Sequence, residues 1–230
     1  LRGGIRAAEW RLWGACSYKW AYLPSHIMAV IPCPMGHTCR PRRAHFATIH
    51  RLEDSIVPYN ISFISLGCAK NQVNCEQMMA SVQAAGHTIQ AQPEGADVVV
   101  VNTCGFLQSA CEEAIDNILE MAELKRAGQV QKILVTGCMT QRYKQDVLNE
   151  LPEVDGILGT GSYGDICAAI DEVMGASGLR PCHLGNIHTA PQDGGRILST
   201  PPWYAYLRIA EGCDNHCAYC VIPSLRGKYR

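Results

Sequence analysis

The sequence has 230 residues, of which 47% are hydrophobic and 18% are charged, and its formal net charge is −1. That length allows one large or two small domains, and the composition is that of an ordinary globular protein. A nearly neutral chain has no overall attraction to nucleic acid or to a membrane surface. Thirteen cysteines are many. An odd number without a convincing signal peptide argues against a secreted disulfide framework and favours metal ligands in a reducing cytoplasm.

Residues 1–60 differ in character from the rest of the chain. They carry eight Lys or Arg against three Asp or Glu, and prolines interrupt any long periodicity. A membrane-spanning helix is therefore not expected, and no membrane partner is predicted. Cys33, His37, Cys39 and His45 could form a zinc set, but their spacing matches no standard finger. We predict an atypical leader over 1–60, disordered or not natively translated.

From residue 61 onward, strand and helix signals alternate. Strands are predicted over 61–66, 87–91, 97–102, 132–136 and 156–158, and helices over 73–85, 110–126, 140–150 and 163–174. Ser109 and Glu112 predict a capping box for the second helix, and Ser162 is predicted to cap the fourth. This alternation predicts an α/β domain, a doubly wound parallel sheet, over 61–175.

The remaining chain reads as a connection followed by a new unit. Residues 176–202 are rich in Gly, Pro and Ser and lack periodicity, so they are predicted to be a linker. A strand is predicted over 204–210, and it opens a unit that covers 203–230.

Three cysteines far apart in the sequence each follow the end of a predicted strand: Cys68, Cys104 and Cys138. In an open parallel sheet, these ends lie along one edge, where ligands bind. A glycine adjoins each cysteine, and it would let the backbone approach a bulky inorganic group. Buried structural cysteines are the alternative. The repeated placement favours a metal-cluster site.

A second set of thiols, Cys213, Cys217 and Cys220, lies within eight residues. A four-iron cluster needs one ligand per iron, so three thiolates would leave one iron open to an outside ligand. A structural zinc site would normally close with a fourth ligand. His216 could supply it, but it adjoins Cys217 and would have to fold back. The spacing favours the cluster and leaves zinc open.

Other features have weaker interpretations. Cys75, Cys111 and Cys167 fall in predicted helices and are interpreted as packing residues. Residues 159–164 match the dinucleotide fingerprint, but no acidic residue follows about 20 positions later, so we interpret them as a turn and helix start. The basic stretch 225–230 either holds an anionic cofactor or substrate, or is a solvated loop; the residues alone do not decide.

These motifs resemble those of a known family. Cys213-x-x-x-Cys217-x-x-Cys220 resembles the radical S-adenosylmethionine signature, and the three upstream cysteines resemble those of the methylthiotransferase N-terminal domain. The MiaB branch of that family, which modifies a tRNA adenosine, typically has Met-Asn where this chain has Lys70-Asn71. The stretches that are similar to the RimO branch, which modifies an aspartate of the twelfth small-subunit ribosomal protein, are Ser65–Asn71, Asn102–Phe106, Gln141–Tyr143 and Ala210–Arg230.

One position departs from the RimO pattern. Asn74-Cys75-Glu76 stands where that branch usually has Asp-Ser-Glu. The change would make Cys75 a stray thiol near the upstream cysteines.

The resemblance implies two four-iron four-sulfur clusters. Cys213, Cys217 and Cys220 would ligate the radical-generating cluster, whose open iron binds S-adenosylmethionine, and Cys68, Cys104 and Cys138 would ligate an auxiliary cluster that carries the sulfur. One S-adenosylmethionine would methylate that sulfur, and a second would supply the radical that takes a hydrogen from the aspartate β-carbon. No catalytic acid or base beyond the cluster ligands is implied.

The resemblance also implies partners and further structure. The expected partners are the ribosomal protein and an electron donor such as flavodoxin or ferredoxin, in the cytoplasm. Residues 203–230 would be the first strand and cluster loop of a truncated radical S-adenosylmethionine partial TIM barrel. The alternatives are a MiaB-type enzyme that acts on tRNA, a two-cluster electron-transfer module and a zinc-binding module.

Overall fold

Six parallel strands form a sheet at the centre of the described part of the chain, in which the second strand of the chain lies at one edge, followed by the first, third, fourth, fifth and sixth. The computed structural model describes residues 58–175, 178, 180–188 and 194–230. The predicted leader, with Cys33, His37, Cys39 and His45, lies outside them. The strands are β1 (Asn60–Ser65), β2 (Thr88–Gln90), β3 (Val98–Thr103), β4 (Lys132–Gly137), β5 (Gly156–Leu158) and β6 (Cys182–His183). The helices are α1 (Ala69–Ala84), α2 (Gln108–Arg126), α3 (Cys138–Glu150), α4 (Ile166–Met174) and α5 (Ile222–Arg226), and a 3₁₀ turn covers Tyr163–Asp165.

The central strand β3 explains why helices cover both faces of the sheet. All six of its residues are buried, and four of them are valines. Alternate valines enter two separate cores: Val99 and Val101 pack with α2 and α3, and Val98 and Val100 pack with α1 and α4. A β-branched run buried on both faces is typical of a parallel sheet. The predicted doubly wound α/β class is confirmed.

Several predicted helix starts are wrong: three helices begin earlier than predicted, and α4 begins later. α1 begins at Ala69, directly after Cys68, and not at residue 73. α2 begins at Gln108 with Leu107 as its N-cap, so Ser109 lies inside the first turn and the predicted capping box is wrong. Ser162 precedes the 3₁₀ turn and not α4, which begins at Ile166.

The predicted linker contributes to the fold. Cys182 and His183 form β6, which pairs in parallel with Ile157 and Leu158 of β5. A strand of two residues is too short to show periodicity, so the sequence did not reveal it. Further along, Ser199 donates two hydrogen bonds of 2.9 Å to Glu76 Oε1, from its backbone N–H and from its hydroxyl. This part of the chain is therefore fixed to α1.

The strand predicted over 204–210 is wrong. The described residues 194–230 contain no strand, and the side chains of Leu207 and Ile209 are 82% and 87% exposed. A strand needs a neighbouring strand for its hydrogen bonds, and this segment has none among the residues described. No helix in the described part of the chain has both the length and the apolar character to cross a membrane. The domain boundaries at residues 61, 175 and 203 stay predictions.

Candidate functional site

Three cysteines follow the ends of three neighbouring strands, at the same edge of the sheet: Cys68, Cys104 and Cys138. β1 pairs with β3 up to Ser65 and Asn102, and β3 pairs with β4 up to Thr103 and Gly137. The three cysteines follow these last paired positions. Their predicted placement at neighbouring strand ends is confirmed, and their role as ligands stays a prediction.

The glycines beside these cysteines lie in close contact with the neighbouring cysteine loops. A Cβ at Gly67 would lie 2.8 Å from Cys104 Cβ, and one at Gly105 would lie 2.6 Å from the Cys138 carbonyl carbon. A Cβ at Gly137 would lie 2.3 Å from a backbone oxygen of β3. All three separations are too short for any side chain. The glycines therefore let the three cysteine loops pack closely against one another.

The side-chain amide of Asn71, which is fully buried in the first turn of α1, connects these loops. Its Nδ2 donates to Leu66 O at 3.2 Å, just before Cys68, and to Thr103 O at 2.9 Å, just before Cys104. Its Oδ1 accepts a hydrogen bond from Cys138 Sγ at 3.8 Å. One amide thus holds the positions of all three thiols.

Arg226 reaches the same amide from the other cysteine motif. It lies on α5, is 5% exposed, and donates from Nη2 to Asn71 Oδ1. Burial raises the pKa of the Cys138 thiol, and the positive charge of Arg226 and a hydrogen bond from it act in the opposite direction. Arg226 is thus buried, whereas Lys228 in the same basic stretch is exposed.

Glu211 lies where the two cysteine motifs meet. This buried carboxylate is 3.6 Å from Lys70 Nζ, 3.9 Å from Arg208 Nη1 and 3.7 Å from Arg226 Nη1. Lys70 lies two residues after the first thiol, and Glu211 lies two residues before Cys213. Within the described residues, three cations thus surround one carboxylate beside the thiols. Such an excess of positive charge, partly buried, favours an anionic partner.

The second set of thiols lies in a loop that is closed at its base. Glu211 and Arg230 exchange backbone hydrogen bonds of 2.8 and 2.9 Å, and the Cys213 N–H donates to Gly227 O at 3.1 Å. The Cys220 N–H donates to Cys217 O at 3.0 Å. Cys213 and Cys220 are half-buried, whereas Cys217 is exposed. The loop thus presents its thiols near the surface.

His216 is exposed, and it does not complete a zinc site in this arrangement. In the described residues there is no group of three or more His, Cys, Asp or Glu side chains placed to hold one metal ion. A zinc ion needs four ligands that converge on one point. An iron–sulfur cluster binds each thiolate at a different iron, so its ligands stand further apart.

Three cysteines predicted to be packing residues lie in helices, as expected: Cys75 in α1, Cys111 in α2 and Cys167 in α4. Cys75 belongs to the core between α1, α4 and the sheet. Its burial raises the pKa of its thiol to about 12, so it stays protonated at neutral pH. The departure from the RimO pattern therefore adds a core thiol and not a competing ligand.

The glycine-rich stretch 159–164 is a turn that packs against protein. A Cβ at Gly159 would lie 2.2 Å from Gln141 Oε1, and one at Gly161 would lie 2.7 Å from the Gly185 backbone. Thr160 donates from its backbone to Gln141 Oε1 at 3.1 Å. The turn thus uses its glycines for close packing, in agreement with the interpretation as a turn and helix start.

Sequence reasoning missed Asn71, Glu211 and Arg226 as residues of the site. Asn71 and Arg226 stood inside recognised motifs, but their contact joins positions 155 residues apart. Glu211 directly follows the apolar run that ends at Ala210, and an acidic residue beside such a run needs charged partners if it is buried. That position was the local signal available.

Known proteins are similar in sequence to this chain. Residues 60–159 match the family model described as uncharacterized protein family UPF0004. The chain is 51% identical over 172 residues to the ribosomal protein uS12 methylthiotransferase RimO of Syntrophomonas wolfei, covering 74% of this chain and 39% of that protein. It is 46% identical to the proteins of the same name from Lachnoclostridium phytofermentans and Clostridioides difficile, over 174 and 171 residues, each 74% of this chain and 38% of the relative. The chain spans about two fifths of the length of these relatives.

Proposed function

Since the predicted resemblance to RimO-type methylthiotransferases is confirmed by these relatives, we propose that the chain is part of such a transferase. Its reaction would place a methylthio group on the β-carbon of an aspartate in ribosomal protein uS12. The observation that carries the proposal is the meeting of two cysteine motifs. Three thiols follow adjacent strand ends, and Arg226, six residues after the second motif, donates a hydrogen bond to Asn71 beside them.

The residues present fit the two iron–sulfur groups that the resemblance implies. Thiolates are the usual ligands of such clusters, and the positive excess around Glu211 suits an anionic metal–sulfur group. When bound, the two groups would supply the sulfur to be inserted and the single electron that S-adenosylmethionine cleavage requires. The auxiliary cluster would be held by Cys68, Cys104 and Cys138, and the radical-generating cluster with its S-adenosylmethionine by Cys213, Cys217 and Cys220.

The protein's own residues would hold and shield this chemistry. Cys104 and Cys138 are buried, which excludes water from one side of the first site. Cys68 is exposed, so the site opens toward incoming partners on that side. Glu211, engaged with three cations, is not placed to act as a base. An aspartate β-carbon is in any case too weakly acidic for deprotonation by a side chain, so a radical route needs no such base.

Partners and location follow from the same proposal. The substrate would be the folded ribosomal protein uS12, and a small electron carrier such as flavodoxin or ferredoxin would deliver electrons. Ribosomal proteins are present where ribosomes are assembled and used. We therefore place the enzyme in the cytoplasm.

Metal analysis of the full-length enzyme purified without oxygen tests the cluster assignment. Replacing either cysteine set by alanine should remove about four of about eight irons per chain, because each set would hold a four-iron cluster. The matched control is Cys182→Ala, an exposed thiol on β6 outside both sets, which should keep all the iron. A colourless protein that contains zinc would end the proposal in favour of a zinc-binding module.

Substrate choice is tested separately, with reduced full-length enzyme and S-adenosylmethionine. Mass spectrometry should find the methylthio group on uS12 and none on tRNA. Methylthiolation of tRNA alone would replace the proposal by the MiaB-type activity. Reversible reduction without any S-adenosylmethionine cleavage would instead indicate an electron-transfer module.

A further inference from the structure

We propose that Arg226 is a positioning residue for the group held by Cys68, Cys104 and Cys138, and that its charge raises the reduction potential of that group. The inference rests on the proposed function, since it takes these three thiols as ligands. It assigns to the segment after the second cysteine motif a role at the first cysteine site.

The geometry places the guanidinium beside one particular thiol. Arg226 Nη2 and Cys138 Sγ donate to the same oxygen, Asn71 Oδ1. Two donors that share one acceptor lie next to each other. Asn71 in turn is fixed by its two bonds to the backbone ahead of Cys68 and Cys104. Arg226 is thus oriented by the same amide that sets the loops of all three thiols.

Ligation would change what Cys138 needs from its surroundings. A thiolate has no proton to donate, so its hydrogen bond to Asn71 Oδ1 would be lost and its sulfur would become an acceptor. Arg226 carries five N–H donors on a rigid plane, and it is 5% exposed. Among the described residues near this sulfur, Arg226 is the cation in contact with the Asn71 amide. It can donate to the thiolate while it stays bound to Asn71.

Charge and hydrogen bonds near the sulfurs set the potential of an iron–sulfur group. Reduction adds one negative charge, which a nearby buried cation stabilises more than it stabilises the oxidised form. The carboxylate of Glu211 neutralises part of the charge of Arg226. The same carboxylate is also 3.6 Å from Lys70 and 3.9 Å from Arg208, so its negative charge is shared among three cations. The positive charge of Arg226 is therefore only partly neutralised. We expect its removal to shift the potential in the negative direction.

Arg208 provides a matched control. It also pairs with Glu211, at 3.9 Å, and it is mostly buried. Its guanidinium donates to Asn74 Oδ1 at 2.9 Å, one helical turn away from Asn71. Arg208→Gln therefore removes the same charge from the same carboxylate without removing a contact to the Asn71 amide. A larger shift of the reduction potential in R226Q than in R208Q would therefore show that the charge acts from its position beside the thiols.

The experiment uses full-length enzyme in which Cys213, Cys217 and Cys220 are replaced by alanine. Iron, spectra and potentials then come only from the group held by the three upstream cysteines. Iron content, the electron paramagnetic resonance spectrum after reduction, and the midpoint potential from a dye-mediated titration are measured for this parent. The same measurements are made for its R226Q, R226K and R208Q variants. We expect R226Q to keep its iron and to shift the potential to more negative values, R226K to shift it less, and R208Q to shift it by less than half as much as R226Q.

A titration of R226Q at the potential of the parent, with its iron retained, would overturn the inference and leave the proposed function intact. If R226Q loses iron, R226K decides: a negative shift supports the inference and an unchanged potential overturns it. Loss of iron from both Arg226 variants but not from R208Q also supports the positioning role, because the planar guanidinium is then required. A parent without iron would overturn the proposed function and the inference together.

Discussion

Arg226 and Asn71 are 155 residues apart in the sequence, and their side chains are joined by a buried hydrogen bond. Asn71 lies three residues after Cys68, and Arg226 lies six residues after Cys220. The bond therefore links the two cysteine motifs through polar groups that are shielded from water. Replacing either residue should therefore alter the structure at both motifs.

Asn71→Ala should reduce the free energy of unfolding by about 3 kcal/mol, because buried groups left without a partner cost about 1–3 kcal/mol each. The substitution would leave Leu66 O and Thr103 O without this donor, and Arg226 without this acceptor. Urea unfolding measures the loss. The control is Asn117→Ala, since that amide donates at 2.8 Å within α2 near the surface. Equal losses in the two variants would contradict the central role of Asn71.

Gly137→Ala should destabilise the protein more than Gly128→Ala. Both glycines have positive φ, +108° and +74°, so both variants carry the backbone strain of about 1–3 kcal/mol. A Cβ at Gly137 would also lie 2.3 Å from Thr103 O, whereas at Gly128 it would meet no described heavy atom within 4 Å. The midpoint of urea unfolding should therefore fall further for Gly137→Ala. A larger fall for Gly128→Ala would be inconsistent with the packing of the cysteine loops.

Glu76→Gln should release the segment around residue 199 from α1. Glu76 is buried, lies 2.7 Å from Arg196 Nη2 and accepts both bonds from Ser199. Removing one member of a buried ion pair costs about 3–5 kcal/mol. Limited proteolysis should then cut faster near residue 199, with unfolding measured in parallel.

The control for that variant is Glu123→Gln. Glu123 forms an ion pair of 2.6 Å with Arg126, and its side chain is 70% exposed. An exposed pair contributes about 0–1 kcal/mol. Its loss should leave proteolysis unchanged. Faster cutting near residue 199 in both variants would mean that Glu76 is not the anchor of this segment.

Cys75 should make the protein less stable as the solution becomes strongly alkaline. Its pKa is raised from 9.0 to about 12 by burial, so the folded state keeps a proton that the unfolded state releases. The contribution is complete below pH 9 and is lost as the pH rises toward 12, at about 1.4 kcal/mol per pH unit in that window. Cys75→Ala should reduce this slope in urea titrations at several pH values. An unchanged slope would show that Cys75 ionises as readily in the folded state.

The parts of the structure that depend on local pattern were predictable. The valine run of β3 and the Gly–Cys breaks after β1 and β4 are visible in a few neighbouring residues, and they place Cys68, Cys104 and Cys138. The close contacts of the adjoining glycines with the other cysteine loops were not predictable, since a sequence shows that a backbone approaches something but not what it approaches.

Long-range pairing was not predictable. The bond between Asn71 and Arg226 depends on how α5 packs against the sheet edge, which no local pattern encodes. The apolar run over 204–210 resembled a strand, but hydrogen bonding to a neighbour decides whether a strand forms. The sequence did not predict β6 for the opposite reason: its two residues form a strand only because they pair with β5.

The three thiols that follow three separate strands become neighbours only through folding. Cys68, Cys104 and Cys138 come together only after β1, β3 and β4 have paired, so no short peptide segment can present the complete set. Cys213, Cys217 and Cys220 lie in one short loop and need no such pairing to be close. The complete set of three thiols is therefore a product of folding, and under the proposed function a cluster could bind there only after the sheet has formed. Under that proposal, the donor of iron and sulfur would act on a folded protein.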